Sequence, residues 1–428
     1  MNKCLRAIFA TTALGIAGTM MIAPAIAQNS GAAAAEDADD DNVIIVTARG
    51  RDETLLDVPI SETFFDEQAI KDANIQRVDD FIALTPGVTF SNSQDAGTNF
   101  ISIRGLSQTR NGEPPVAVVV DDVLQVNSRS FDQPLFDLES VEVLRGPQGA
   151  LYGRNATGGA IIINTKMPTN ELEGFVNLHA GTGDEYGAEV SLAGPIAEDR
   201  VLFRISAKYV DRGGYLDNVF LGEKADYLED IALRGHLRFL PSDAVTIDLR
   251  GSLVRTDAGS LNYSYQPAII DRATGLPTAF DFTINDANLV ERDFFANNLG
   301  LDDRDIDQLS LRVNFDLGFG DLKFISAYDK ITQSTASDQF PYSAASQFTP
   351  SPAFPFFDGT QSQFFEVETF SQEVRLTSKS DTAFRWMLGG YYLDTSRFVS
   401  SSIMNDLEQG IVRIRREPVL NPTNPLTS

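Results

Sequence analysis

The sequence predicts an α+β domain followed by antiparallel β-strands of a membrane barrel. Three observations lead there. The stretch Phe136–Pro168, FDLESVEVLRGPQGALYGRNATGGAIIINTKMP, sets strand-like runs at Val141–Leu144 and Ala160–Asn164 around Gly146, Gly149, Gly153, Gly158 and Gly159. Glycines so spaced give backbone freedom and let chain approach chain. From Glu173 onward, segments of alternating polarity repeat. The connections between those segments are sorted by parity, short ones alternating with long ones.

In chain order, residues 1–27 read as a secretory signal. Lys3 and Arg6 form a basic start, Ala7–Ile22 is apolar apart from Thr and Gly, and Ala25-Ile26-Ala27 is a small-x-small cleavage site. The run is short for a membrane span and ends at Pro24. Cys4 leaves with the signal, so the mature chain has no cysteine for disulfides or thiolate metal sites. No later segment is apolar over about 18 residues, so no transmembrane helix is expected. The net charge is −26; without Lys3 and Arg6, 32 basic residues face 60 acidic ones, or −28. That balance disfavours nucleic acid as a partner.

Residues 28–42 form an acidic linker, poor in bulky apolar residues and expected to be disordered. Val43–Ala48, VIIVTA, is a short β-favouring segment on that arm. Its chemistry suits β-augmentation, in which an extended peptide adds to a partner's sheet edge. The alternative is an ordinary first strand of the next domain. Residues 54–167 form the α+β unit. Asp57–Ser61 opens it. Asp66–Leu84 reads as one helix, with Ile70, Ile75, Val78, Phe81 and Ile82 near a 3.6-residue period, stopped by Pro86-Gly87. Val88–Phe90, Ile101–Ile103 and Val116–Val120 read as strands, separated by polar loops.

Residues 173–428 hold the staves. Leu309, Leu311, Val313, Phe315 and Leu317 alternate with Gln308, Ser310, Arg312, Asn314 and Asp316. Val245, Ile247, Leu249 and Leu253 alternate with Thr246, Asp248, Arg250 and Ser252. Val201, Phe203, Ile205, Ala207 and Tyr209 alternate with Arg204, Ser206 and Lys208. About nine strands follow, near 174–181, 186–193, 201–210, 228–239, 245–255, 305–317, 321–330, 366–377 and 383–395. Period two gives each strand one apolar and one polar face. A soluble sandwich buries the apolar face; an outer-membrane barrel turns it to lipid. Short turns after even strands and long loops after the third, fifth and seventh favour the barrel.

The glycine-rich stretch resembles the end of the plug domain of TonB-dependent outer-membrane receptors, a family marked by VEVLRGPQG…LYG…GGAINI. Ser102–Gly105, SIRG, and Val118–Val123, VVVDDV, are further anchors. The resemblance covers roughly Val43–Leu393, specific in the plug and generic in the barrel. It implies a multi-pass β-barrel of the outer membrane, in contact with its lipid. It makes residues 43–48 a TonB box, with Ile44, Ile45, Val46, Thr47 and Ala48 pairing with the periplasmic TonB domain. It suggests that Arg104 and Arg145 pair with barrel-wall carboxylates. The family's barrel has 22 strands, and single-chain barrels have even strand numbers, so about nine strands read as the first part of a wall. The expectation is a C-terminally truncated chain.

By that resemblance the chain imports a scarce solute, a ferric siderophore being the commonest family ligand, with energy supplied through TonB. The alternatives are an inactive receptor fragment, or a receptor for cobalamin, haem, a nickel chelate or a saccharide. Ligand candidates are Ser91, Asn92, Gln94, Arg110, Asn111 and Asn127 at the plug apex, and the loop aromatics Phe340, Tyr342, Phe348, Phe356 and Phe357. A passive channel or adhesin predicts neither plug nor box. No Walker A pattern is present, so energy must come from a partner. An enzyme is not expected. His179 and His236 are far apart, and no clustered His/Asp/Glu set offers a catalytic or metal site. No cofactor is expected.

Overall fold

The apolar runs and breaks in the chain take definite form in the computed structural model, which describes residues 45–46, 53–54, 61–92, 99–108, 112–218, 221–260, 293–294, 298–338, 359–379, 382 and 384–405. The expected signal and the acidic linker lie outside the described residues.

A two-stranded hairpin comes first, β1 (Ile45–Val46) against β2 (Glu53–Thr54), with Ile45 opposite Thr54. β3 (Ser61–Asp66) leads into α1 (Glu67–Asp72), whose N-terminus is capped by the Asp66 carboxylate accepting from Ala69 N at 2.7 Å. The single helix expected over Asp66–Leu84 is in fact two. Asn74 takes a left-handed conformation (φ 50°), and α2 (Val78–Ala83) starts afresh. The cause is Asp80, whose carboxylate accepts from the backbone N–H groups of Gln76 (2.8 Å) and Arg77 (2.9 Å). Short acidic side chains compete in this way with continued helix. The apolar spacing survives the break, so Ile70, Ile75, Val78, Phe81 and Ile82 still reach one core.

The next elements are β4 (Val88–Asn92), β5 (Asn99–Ile103), β6 (Val116–Val120), β7 (Val123–Gln125), β8 (Leu138–Arg145), α3 (Gly149–Tyr152) and β9 (Gly159–Thr165). β4 and β5 pair with each other, and β3 joins the rest in a five-stranded sheet in the order β3-β8-β9-β6-β7, with β6 and β9 parallel and the other pairs antiparallel. α1 and α2 cover one face. Phe65, Phe81, Ile101, Val141 and Ile161 are buried there, and each such side chain is worth roughly 1.5–3 kcal/mol. Gly159 is dictated by close approach: a Cβ there would lie 2.2 Å from the Leu144 carbonyl oxygen.

The remaining strands are β10 (Glu173–Gly181), β11 (Glu185–Ala197), β12 (Val201–Arg212), β13 (Asp217–Asn218), β14 (Glu223–Lys224), β15 (Leu228–Ser242), β16 (Val245–Ala258), β17 (Asp293–Phe294), β18 (Leu301–Asp316), β19 (Gly320–Asp338), β20 (Gly359–Ser378) and β21 (Met387–Asn405). Nine of them form one antiparallel wall in which each strand pairs with its sequence neighbour, β10-β11-β12-β15-β16-β18-β19-β20-β21. β13, β14 and β17 form a small sheet within the connections after β12 and β16.

The two faces of the wall differ as the alternation predicts. Ile205 and Leu309 are 52% and 53% exposed, while Arg204 and Arg304 are 5% and 0% exposed. The polar face is the buried one, because the α+β unit sits against it. A soluble sandwich would show the reverse.

Candidate functional site

The residues that join plug to wall form the most developed polar arrangement in the described structure. It begins at the turn between β6 and β7. Val120 pairs with Val123, which leaves Asp121 and Asp122 as a two-residue hairpin loop. Both are left-handed, with φ of 51° and 71°. Such loops favour glycine or asparagine, and a non-glycine residue there costs roughly 1–2 kcal/mol. Two consecutive aspartates are held there by what their carboxylates reach.

Asp121 accepts from Thr165 N and Thr165 Oγ1, each at 2.8 Å, and is ion-paired with Arg250 Nη1 of β16 at 2.7 Å. Asp122 Oδ2 accepts from Arg312 Nη1 of β18 (2.7 Å) and Lys323 Nζ of β19 (3.1 Å). Burial alone would raise both acids. For Asp121 the charges of Arg250 and Arg234 outweigh it, and for Asp122 those of Lys323 and Arg312 do, so both stay below the ordinary carboxylate range. The network continues along the wall. Arg312 Nη2 donates to Asp248 Oδ2 (2.9 Å), and Asp248 Oδ1 accepts from Arg238 Nε (2.7 Å) and lies 2.8 Å from His236 Nε2. Met167, where plug passes into wall, receives N–H groups of Arg250 (2.8 Å) and Arg238 (3.3 Å) at its sulfur. One plug turn thereby reaches β16, β18 and β19 directly, and β15 joins the network through Asp248 and Met167.

A second fastening lies at Phe136-Asp137. The Phe136 ring enters a buried cluster with Ala232, Val254, Ile306 and Ile331 of the wall. The Arg234 guanidinium lies 4.3 Å from its centroid, and Arg234 Nη1 donates to the Phe136 carbonyl at 3.0 Å. Asp137 (φ 51°) accepts from Arg204 Nε at 2.6 Å and Nη2 at 2.5 Å, a two-pronged carboxylate–guanidinium pair, and from the Ser191 and Ser206 hydroxyls. Burial would raise Asp137; its bonds to Arg204 and the serines pull it below the ordinary range instead.

The third fastening involves α2 and the segment before β8. Arg77 is ion-paired with Asp132 of the plug (3.0 Å) and Asp230 of β15 (2.6 Å). Arg304 of β18 donates to the carbonyls of Asp132 (2.8 Å) and Arg129 (3.3 Å). Arg129 reaches Gln333 and Gln363 on β19 and β20 and lies 4.4 Å from the Phe365 ring centroid. Between these anchors is a cavity of about 50 Å³, whose polar lining includes Asp121, Gln125, Arg234, Arg250, Gln308 and Asp329. It has room for water and polar partners to hold it.

The arginines picked from the sequence do something else. Arg145 donates to the backbone carbonyls of Pro86 (2.9 Å) and Glu62 (3.4 Å), inside the plug. Arg104 is exposed at φ 53°, with its guanidinium beside Gly146. Among the described residues neither reaches a wall carboxylate. Among the described residues the polarity is mostly inverted: plug carboxylates Asp121, Asp122 and Asp137 meet wall arginines, while Arg77 runs the expected way, to Asp230. The signal was present in VVVDDV, a pair of acids at hairpin spacing, and in Arg204, Arg250 and Arg312 on polar strand faces.

The apex candidates scatter. Ser91 is exposed on β4, opposite Phe100, and Asn92 ends that strand opposite Asn99. Asn127 is buried and its side chain accepts from Arg129 N at 2.9 Å, so it serves as a cap rather than a contact held open. Gln94, Arg110, Asn111, Phe340, Tyr342, Phe348, Phe356 and Phe357 lie outside the described residues. Of the box, Ile45 and Val46 form β1, while Ile44, Thr47 and Ala48 lie outside them.

Residues 54–160 match the family model described as the TonB-dependent Receptor Plug Domain. The pesticin receptor of Yersinia pestis is 32% identical over 192 residues, 44% of this chain and 27% of that protein. The ferripyoverdine receptor of Pseudomonas aeruginosa is 32% identical over 169 residues, 39% of this chain and 20% of that protein. The solved ferric yersiniabactin uptake receptor of Yersinia pestis superposes with a TM-score of 0.69 at 22% identity, covering 81% of this chain and 50% of that one. The ferripyoverdine receptor bound to ferripyoverdine gives 0.65 at 19% identity, covering 86% of this chain and 48% of that one. The chain thus spans about half the length of these solved receptors.

Proposed function

Because residues 54–160 match the TonB-dependent receptor plug model and the relatives are receptors of that family, we propose that the chain belongs to it and serves in the import of a ferric siderophore across the outer membrane, with energy delivered through TonB. One observation carries the reading. A folded domain is fastened by buried charges to the polar face of a β-wall whose other face is apolar. That is the arrangement of a removable stopper in a lipid-embedded barrel. Buried ion pairs suit the task, since they contribute specificity of seating more than net stability.

The names of the pesticin and ferripyoverdine receptors support an iron chelate as cargo. The segment Ile44–Ala48 would add to a sheet edge of the periplasmic TonB domain, and tension on it would reach the plug through β3. The cargo is substrate; no resident cofactor is invoked. The test is uptake of a radiolabelled ferric siderophore by iron-starved cells carrying the receptor with residues 44–48 deleted. Surface binding should persist while energised uptake falls to background. Undiminished uptake would sink the reading.

A further inference from the structure

We propose that Glu62 of β3 and Glu142 of β8 share one proton, and that this proton fastens β3 to the rest of the plug sheet. In the antiparallel register Glu62 lies opposite Leu144 and Phe64 opposite Glu142. The two glutamates are therefore diagonal neighbours on one face of the sheet. That face is apolar: Leu144, Ala160 and Ile162 are buried together on it, with Tyr152 packed against them. Glu142 is 1% exposed, and both carboxylate oxygens of Glu62 are buried with no donor in reach. Two carboxylates so placed cannot both stay ionised, and a proton held between them supplies the missing donor.

The groups around the pair leave the Glu62 carboxylate itself without a donor. Arg145 on β8 donates to the backbone carbonyls of Pro86 and Glu62, not to the Glu62 carboxylate. Asn164 on β9 donates to Glu142 Oε1 at a long 3.4 Å. Tyr152 from α3 is kept neutral by burial, with Glu142 adding to the effect. Asp122 faces Tyr152 from the β6–β7 turn, and Arg375 faces it from β20 but is bound to Glu373 on its own strand. Burial, then the Glu142 charge, then the hydrogen bond to it push Glu62 up to about 7.

The consequence is directional. In the seated sheet the pair holds its proton to near neutral pH; in a detached β3 the same glutamate ionises near 4.5. Attachment is firmest at mildly acid pH and weakens as pH rises from about 4.5 to about 7. β3 is an edge strand of the sheet and follows closely on the β1–β2 hairpin. Only in naming β3 as the strand that receives the pull does the inference rest on the transport reading.

Hydrogen exchange in the membrane-embedded protein tests it without TonB or cargo. Protection of the 61–66 amides, corrected for intrinsic rates, should be roughly 10- to 100-fold higher at pH 5 than at pH 8. Amides of β9 should be unchanged over that range. Glu62→Gln, and separately Glu142→Gln, should make β3 protection independent of pH. Equal protection of β3 at both pH values would overturn the proposal. So would either glutamine variant keeping the full pH dependence, or β9 changing as much as β3. Failure of energised uptake would count against the transport reading and leave this result untouched.

Discussion

Asp122 carries two wall cations on one carboxylate. It neutralises them from a backbone conformation that normally belongs to glycine. Asp122→Ala should lose the charge and keep the strain, leaving Arg312 and Lys323 facing each other, at a cost of about 2–4 kcal/mol. Asp122→Gly loses the same charge but relaxes the backbone, so it should be milder by about 1 kcal/mol. Thermal unfolding of both variants in detergent checks the order; an alanine variant as stable as the glycine one would deny the strain. Arg204→Ala should cost about 3 kcal/mol, because Asp137 would be left buried with hydroxyl donors alone. Acid should act at the same contacts. Asp121, Asp122 and Asp137 all sit below the ordinary 3.8, so what they contribute is whole above that pH and drains away beneath it. Plug release by urea, followed from pH 5 to pH 2, should steepen below about 3.8. The residue scale is also where sequence reading fell short. Alternation showed which face Arg250 and Arg312 occupy, but their plug partners Asp121 and Asp122 lie more than a hundred residues away in the chain, and no local pattern encodes such a pairing. Arg104 and Arg145 stood out for their glycine neighbours, and those glycines serve the backbone instead.

At the scale of elements, legibility follows from how local the governing physics is. The nine wall strands could be read because period two is written into each segment by itself. Their ends were less legible. β20 begins at Gly359 and β19 runs to Asp338, beyond where the apolar alternation fades, because cross-strand hydrogen bonds carry on after the lipid-facing pattern has stopped. α1 and α2 were read as one helix because apolar spacing is indifferent to a short kink, while the break depends on Asp80 capturing two N–H groups. Asp80→Ala should therefore loosen the start of α2 by about 1 kcal/mol and leave the core contacts in place. β3 escaped notice because SETFFD shows little alternation; its strand character comes from pairing with β8. Gly159 shows the opposite case, a residue whose identity is dictated by contact. Gly159→Ala forces a Cβ against the Leu144 carbonyl and should separate β9 from β8, losing several kcal/mol. Circular dichroism melting of the variant gives the measurement, and a Tm close to wild type would contradict the close approach.

At the scale of the molecule, plug and wall divide the chemistry between them. The wall presents arginines inward and aliphatic side chains outward, and the plug answers with aspartates at left-handed corners. A chain with surplus negative charge thus spends part of it on a seam where positive charge is concentrated. Fold class was legible from export, glycine pattern and alternation together. The seam was legible only as raw material, since assembling it requires the register of every strand between β12 and β19.

The wall's height has its own consequence. β20 has 20 residues, about 66 Å of strand at about 3.3 Å per residue. Inclined at about 45°, it climbs roughly 45 Å, where a bilayer's hydrocarbon is only about 30 Å thick. Toward one end of the wall the outward face changes to charge, Arg255 with Asp305 and Asp307, Lys330 with Glu366 and Glu368. In a bilayer, part of the sheet would therefore stand clear of the oil as a parapet, and under the proposed import function an arriving solute would be sheltered by protein before it reached the depth of the membrane.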